Sequence, residues 1–295
     1  MEKAEDKAIL YLRKKYEKVR DLVSSAPYFL DYANEKFHHS MQVIGAMKYI
    51  MKHEKTFQNR DEMFLNFAKT ATILHDIGRF EEIKLNFEEA KEDGRNIFFR
   101  SKLNHGFLGY EILKNSAEYN DPRIYIPVKH HGGLEQDLYN DDEYKNINDI
   151  NLKKDIEDII KLVRDADKTA NFYLFTSAGV LHFPNLFPRS RGHEGKKWQI
   201  SENTKEIIKQ HRLMKTAEIQ NYLDEAIHLM IWIFDINYAP SYDLMIKNGS
   251  LRRTMEDVFA YCAEQKDKDF IKNEVLAYLE TKCDKKLLSL LFFPI

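Results

Sequence analysis

The chain has 295 residues, of which 43% are hydrophobic and 31% charged, and its formal net charge is −2. This balance lacks the strong positive charge that draws a protein to nucleic acid or to anionic lipid. No apolar run approaches the roughly 18–20 residues of a membrane span, and the charged N-terminal segment differs from a secretory signal. We therefore expect a globular cytoplasmic protein, with Cys262 and Cys283 as reduced, packed thiols.

Three helices are predicted in the first quarter of the chain, over residues 5–24, 35–52 and 60–76. In the second helix, His39 falls on the same helical face as the apolar residues that follow it. The third helix is apolar and runs directly into His75 and Asp76. Gly78 is predicted to end it, because glycine is the commonest residue just past a helix.

The segment over residues 81–103 loses helical periodicity and is rich in charge, so a loop with short helical pieces is predicted. Asn104 is placed to cap a helix over residues 105–113. Another short helix is predicted to begin at Asp121-Pro122 and to end at His130-His131. Pro127 inside it is predicted to kink the helix or to delay its start.

The second half of the chain begins with residues 134–150, which are acidic and rich in asparagine and predict a surface loop. A long helix is predicted over residues 152–175, and the basic loop that follows at 182–203 could cover a phosphate-bearing substrate. Further helices are predicted over residues 204–235, 251–264, 268–281 and 284–292. Because no convincing strand alternation occurs, the predicted fold is all-α, in one domain over residues 1–295 with a helical C-terminal extension at about 204–295.

Histidine and aspartate residues recur at the ends or buried faces of five successive predicted helices. They are His39, His75, Asp76, His105, His130, His131 and Asp167. Each one alone is weak evidence, since a single histidine on an apolar face is more often a satisfied core residue. Together they indicate a metal site, because imidazole nitrogen and carboxylate oxygen suit borderline and hard divalent cations.

This ordered pattern resembles the HD-domain superfamily of metal-dependent phosphohydrolases over about residues 30–180. The segment His39–Val43 resembles the helix that carries the family's first histidine, and His75–Arg79 resembles the central motif. Val163–Lys168 resembles the closing helix, in which the family's ligand is the aspartate after alanine, here Asp167. The resemblance implies an HD-domain helical bundle with additional C-terminal helices.

The extra histidines resemble the branch of the superfamily that binds two metals, which includes the HD-GYP cyclic-dinucleotide phosphodiesterases. The resemblance implies that one ion is held by His39, His75, Asp76 and Asp167. It also implies that Asp76 bridges to a second ion held by His105, His130 and His131. Some relatives use a glutamate one turn before the first histidine, the position of Glu35 here. The chain lacks the Gly-Tyr-Pro segment after His131, which weighs against cyclic di-guanylate as substrate.

The function implied is metal-dependent hydrolysis of a phosphomonoester or phosphodiester, with a small nucleotide-like substrate as the partner. Two ions about 3.5–4 Å apart can activate a water molecule and stabilise a phosphoryl oxygen. The mixed ligand set favours Fe, Mn or Co and is compatible with Zn, Mg or Ni. Besides Asp76, the candidate catalytic residues are Arg79 and Lys168, whose charges suit a substrate phosphate. A homo-oligomer is compatible with the sequence.

Two other functions fit the same residues. HD-type di-iron oxygenases related to inositol oxygenase share this ligand order, and the residues around the ligands decide between the two chemistries. A non-catalytic HD signalling module is the third interpretation, although such modules typically lose ligands and none is lost here. Phosphohydrolysis is the commoner use of the superfamily and is therefore favoured.

Overall fold

The computed structural model describes residues 3–92, 103–178 and 196–291. These residues form sixteen α-helices and two short 3-10 helices, and no strand occurs among them. The one extended pairing in this part of the chain is an isolated bridge between Trp198 and Cys262. The all-α prediction is therefore confirmed.

The chain divides into two compact units, Met1–Asp167 and Lys168–Ile295. The first unit contains α1 (Ala4–Leu22), α2 (Pro27–His53), α3 (Lys55–Gln58), α4 (Glu62–Ile73), α5 (Ile77–Glu92), α6 (His105–Lys114), α7 (Pro122–His130), α8 (Glu135–Asn140), α9 (Asp142–Lys145) and most of α10 (Ile150–Ala178). Whether the two units fold as one domain, as expected from the sequence, stays a prediction.

The second unit contains the end of α10 and six further helices. They are α11 (Glu202–Lys209), α12 (Tyr222–Met230), α13 (Ala239–Lys247), α14 (Ser250–Tyr261), α15 (Gln265–Glu280) and α16 (Lys285–Ser289). The two 3-10 helices, Thr216–Glu218 and Ile231–Asp235, lie between them. Its apolar core includes the fully buried side chains of Ile207, Leu223, Ile227, Met245 and Val275.

Local capping chemistry sets several helix starts in the first unit. The Asp61 carboxylate accepts a hydrogen bond from the Phe64 amide at 2.7 Å and begins α4. Asn104 accepts from the Gly106 amide at 2.9 Å and begins α6, as predicted. Asp121 caps α7 through the Arg123 amide at 2.9 Å, with proline in the first helical position.

The first unit is built around close packing of α5, α6 and α7. Helix α6 packs against both α5 and α7, and α4 packs against α1, α2 and α7. Buried apolar side chains such as Leu12, Phe29, Met47, Leu74 and Phe80 fill the space between them. This packing gathers the middle of α2, the turn between α4 and α5, the start of α6 and the end of α7.

The prediction that Gly78 ends a helix is wrong. Helix α4 already ends at Ile73, and Gly78 lies in the first turn of α5. A β-carbon at this position would lie 2.0 Å from the His105 carbonyl oxygen and 2.5 Å from the Gly109 amide nitrogen. Gly78 therefore serves the close approach of α5 to α6, which sequence periodicity does not reveal.

Three loop or helix predictions also need correction. The predicted loop at 81–103 is helical as far as Glu92, and residues 93–102 lie outside the described part of the chain. Pro127 lies inside α7, and the helix begins at Pro122, so its start is not delayed, while the predicted kink stays a prediction. The single helix predicted over 204–235 is interrupted, because α11 ends at Lys209 and α12 begins at Tyr222.

The acidic segment at 134–150 is not a plain loop, because it contains α8 and α9. The Asp137 carboxylate accepts from the Leu134 amide at 2.7 Å, and Asp141 accepts from the Glu143 amide at 2.8 Å. The acidic residues that suggested a solvated loop are therefore helix caps. Helix α13 (Ala239–Lys247) was not predicted at all.

The remaining predicted helices agree with the structure. Helix α2 starts at Pro27, eight residues before the predicted start at 35, and α14, α15 and α16 overlap the last three predicted segments. Among the described residues, no helix combines the length and apolar character needed to cross a membrane. Residues 182–195 of the predicted basic loop lie outside the described part of the chain.

Candidate metal centre

Five segments of the first unit each contribute polar side chains to one buried cluster. His39 lies in the middle of α2, and His75 and Asp76 occupy the turn between α4 and α5. His105 is the first residue of α6, His131 follows the last residue of α7, and Asp167 lies on α10. Six of the residues predicted to bind metal are thus brought together.

One group of donors comprises His39, His75 and Asp167. The Nε2 atom of His39 lies 2.8 Å from Asp167 Oδ1, and the Nε2 atom of His75 lies 3.7 Å from the same oxygen. These three donor atoms lie within 4.8 Å of one another, a spacing that a single ion between them could span.

A second group comprises His75, Asp76 and His131, with His105 beside it. The Oδ2 atom of Asp76 lies 3.8 Å from His75 Nε2. Its Oδ1 atom lies 3.4 Å from His105 Nε2 and 3.5 Å from His131 Nε2. The two oxygens of Asp76 therefore face different imidazoles, and the carboxylate lies between them.

Backbone carbonyls fix the orientation of two of the imidazoles. His75 Nδ1 donates to the Thr72 carbonyl oxygen at 3.0 Å, and His131 Nδ1 donates to the Val128 carbonyl oxygen at 2.7 Å. In each case the bond runs to the residue three positions earlier. With Nδ1 protonated in this way, Nε2 faces the cluster as a potential metal ligand.

The electrostatics of the cluster favour a bound cation. Burial opposes ionisation of Asp76, yet His75, His131 and Arg79 outweigh it and hold its pKa well below the usual range. Burial likewise opposes ionisation of Asp167, and His39 and His75 hold its pKa well below the usual range. Two ionised carboxylates thus lie inside the fold, where an unpaired charge is costly.

Burial and the neighbouring charges shift the pKa values of His105 and His75 in opposite directions. Burial and the charge of Arg79 hold the pKa of His105 well below its ordinary value, which keeps the imidazole in the neutral form that binds metal. Burial also lowers the pKa of His75, but Asp76 and Asp167 outweigh it, so this pKa lies above the ordinary value. The carboxylates therefore place a negative potential on His75 Nε2, and a divalent cation would meet the same potential.

The donor set fits a metal, and the clearest sign is an unsatisfied atom. His75 is 0% exposed, and its Nε2 atom has no hydrogen-bond partner among the described residues. Buried polar atoms are nearly always bonded, so an orphan surrounded by imidazoles and carboxylates needs a ligand. Imidazole nitrogen and carboxylate oxygen together suit Fe, Mn, Co or Zn.

His130 is oriented differently from its neighbour His131. Its Nε2 atom lies 2.8 Å from Asp141 Oδ2, and the same oxygen contacts the ammonium of Lys129 at 2.5 Å. His130 is absent from both donor groups. Its role as a metal ligand stays a prediction, while its contact in the structure is with a carboxylate that caps α9.

Arg164, on α10, contacts the backbone at the end of α7, next to His130 and His131. Its guanidinium is buried and donates to the carbonyl oxygens of His130 and His131 at 3.4 and 3.3 Å, and also to that of Gly133. Cations near a helix C-terminus bind its free carbonyl groups favourably. Arg164 therefore links the end of α7 to the helix that carries Asp167.

We expect His131→Ala to weaken metal binding much more than His130→Ala. Of these two histidines, His131 presents Nε2 to Asp76 and His130 does not, so loss of His131 should cost more than the roughly 10–100-fold that removal of an outer partner costs. Metal titration of both variants, monitored by calorimetry, measures the difference. If His130→Ala loses metal as strongly as His131→Ala, the orientation of His130 toward Asp141 does not describe the metal-bound protein.

Two other residues predicted for the site have ion-pair partners of their own. Glu35 contacts the ammonium of Lys36 at 3.5 Å, and its buried Oε1 atom has no hydrogen-bond partner among the described residues. Lys168 is paired with Asp235 at 2.8 Å within the second unit. Neither residue belongs to a donor group, so their predicted roles stay predictions.

Arg79 lies in the first turn of α5, not in a loop after a helix. Its Nη1 atom donates to Glu82 Oε2 at 2.8 Å, and its Nε atom lies 3.6 Å from Asp76 Oδ1. Glu82 is 2% exposed. The contact with Glu82 fixes the guanidinium beside Asp76, where its charge supports the ionised carboxylate.

The sequence of residues 37–171 matches the family model described as HD domain. The match includes every residue of the buried cluster, and it confirms the resemblance to a superfamily of metal-dependent hydrolases. No curated protein and no solved structure gives a significant match to the chain.

Proposed function

We propose that this chain, whose residues 37–171 match the HD domain, is a metal-dependent phosphohydrolase with two divalent ions in the buried cluster. One observation carries the proposal. Six imidazole and carboxylate side chains from five segments converge in the fold, and His75 Nε2 at their centre is buried without a partner among the described residues. A structural ion pair would not need so many donors.

The residues around the cluster have separable roles in this proposal. His39, His75 and Asp167 hold one ion, while Asp76 reaches toward His105 and His131 for the second. Arg79, held by Glu82, supplies a fixed positive charge beside Asp76 for a phosphate oxygen. When bound, divalent ions of this kind supply the Lewis acidity that activates water for attack on phosphorus.

We expect protein loaded with Mn(II) or Fe(II) to hydrolyse p-nitrophenyl phosphate or bis(p-nitrophenyl) phosphate, and a chelator to stop the reaction. Asp167→Asn should lose most of this activity together with bound metal. The matched control is Asp158→Asn on the same helix, because Asp158 is paired with Arg60 and is absent from both donor groups. Its metal content and turnover per folded molecule should equal those of the wild type.

Two results obtained with the wild-type protein would contradict the proposal. One is metal-replete wild-type protein that hydrolyses no ester in a broad panel of phosphates. The other is oxygen uptake with an organic substrate and a spectroscopically detectable di-iron centre, which would favour the oxygenase interpretation. If Asp167→Asn were as active as the wild type, the cluster would take no part in the reaction.

A further inference from the structure

A buried ammonium lies next to the metal cluster. Lys36 is on α2, three residues before His39, so the two side chains lie on the same helical face one turn apart. The Lys36 side chain is only 6% exposed, which is rare for lysine unless the charge is paired. The sequence indicates Glu35 at this face and does not single out Lys36.

The ammonium of Lys36 is poorly satisfied. Among the described residues its one ion-pair partner is Glu35, with 3.5 Å between the charged atoms. It also lies over the Tyr32 ring, 5.2 Å from the ring centroid. An ammonium has three donors, and a buried charge without close hydrogen bonds is costly. The arrangement therefore leaves donors available for an anionic ligand.

Arg79 provides a second cation at the same place. Its Nε atom is buried and has no hydrogen-bond partner within the described part of the chain. Lys36 lies one turn before His39 on α2, and Arg79 Nε lies 3.6 Å from Asp76 Oδ1, so both cations adjoin the same cluster. Burial and the charge of Arg79 oppose the charge of Lys36, but Tyr32, Glu35 and Asp76 outweigh them and raise its pKa, so the ammonium stays protonated.

We infer that Lys36 and Arg79 form an anion site for the terminal phosphate of a phosphomonoester, so that the enzyme prefers monoesters to diesters. The inference rests on the proposed function and names its substrate class. A terminal phosphate carries up to two negative charges and three acceptor oxygens, which suit an ammonium and a guanidinium together. An internal diester carries one charge and gains less from the second cation.

The test compares four variants on Mn(II)-loaded protein: Lys36→Met, Lys36→Gln, Lys36→Arg and Lys48→Met. Lys48 is the matched control, because it lies on the same helix, is 57% exposed in its side chain and pairs with Glu5 at 2.6 Å. Calorimetry with inorganic phosphate as the probe measures binding without turnover. Metal content and melting temperature are measured on the same preparations.

We expect Lys36→Met and Lys36→Gln to bind phosphate about ten- to a hundredfold more weakly, with metal content unchanged. Lys36→Arg should retain most of the affinity, and Lys48→Met should equal the wild type. With the two aryl esters, loss of Lys36 should lower kcat/KM for the monoester more than for the diester.

The inference is overturned if Lys36→Gln binds phosphate as tightly as the wild type, or if its loss of phosphate binding accompanies loss of metal. It is also overturned if loss of Lys36 lowers kcat/KM equally for the monoester and the diester. Failure of the proposed function can be distinguished from failure of this inference, because a protein that hydrolyses no ester could still bind phosphate through Lys36.

Discussion

Asp76→Ala should remove both metal ions from the protein. The carboxylate contacts His75 through one oxygen and His105 and His131 through the other, so no single histidine can replace it. Without it, the positive charge of Arg79 beside the imidazoles would repel a cation. Affinity should fall by more than the roughly 100-fold upper range for loss of an outer partner. Elemental analysis of dialysed protein measures the ion count.

The matched control for this experiment is Asp61→Ala. Asp61 caps the other end of α4, the helix that leads into His75 and Asp76. Its loss should cost about 1 kcal/mol of stability through the helix cap and leave the metal content intact. Retention of two ions by Asp76→Ala would show that Asp76 does not bridge them, and one retained ion would assign Asp76 to a single site.

Gly78→Ala should be among the most destabilising single substitutions in the first unit. The new methyl group would lie 2.0 Å from the His105 carbonyl oxygen, and backbone atoms cannot move aside as a flexible side chain can. Helices α5 and α6 would have to separate, so we expect a loss of about 3 kcal/mol or more. Chemical denaturation followed by circular dichroism measures the change.

Gly45→Ala provides the opposite expectation within the same unit. Gly45 lies inside α2, and a β-carbon there would meet nothing within 4 Å. Since glycine is a poor helix former, alanine should stabilise the protein by up to about 1 kcal/mol. Equal effects of the two substitutions would show that α5 and α6 do not approach as closely as the structure has them.

The sequence predicted the parts of the fold that depend on local chemistry. Asn104 and Asp121 cap helices where their side chains suggested, and the order of histidines and aspartates pointed to one cluster. These features are visible in sequence because a cap or a helical face depends on residues a few positions apart. Residues 37–171, which match the HD domain, include all of these histidines and aspartates.

What the sequence did not predict depends on contacts between distant segments. Gly78 looked like a helix end because its partner, the His105 carbonyl group, belongs to another helix. Lys36 was not singled out, because its burial depends on how α2 packs in the first unit. His130 and His131 are adjacent in sequence, and only the turn after α7 sends one to Asp141 and the other to Asp76.

The burial of the cluster has a consequence for the rate at which metal would exchange. His39 and His75 are almost completely enclosed, while the Asp167 side chain is 19% exposed, so an ion held among the three could leave only on the side of Asp167. Exchange would then be limited by local opening of the cluster and not by the affinity of the site. The ion found in purified protein would record which metals were present while the chain folded, and competing metals added later would displace it slowly.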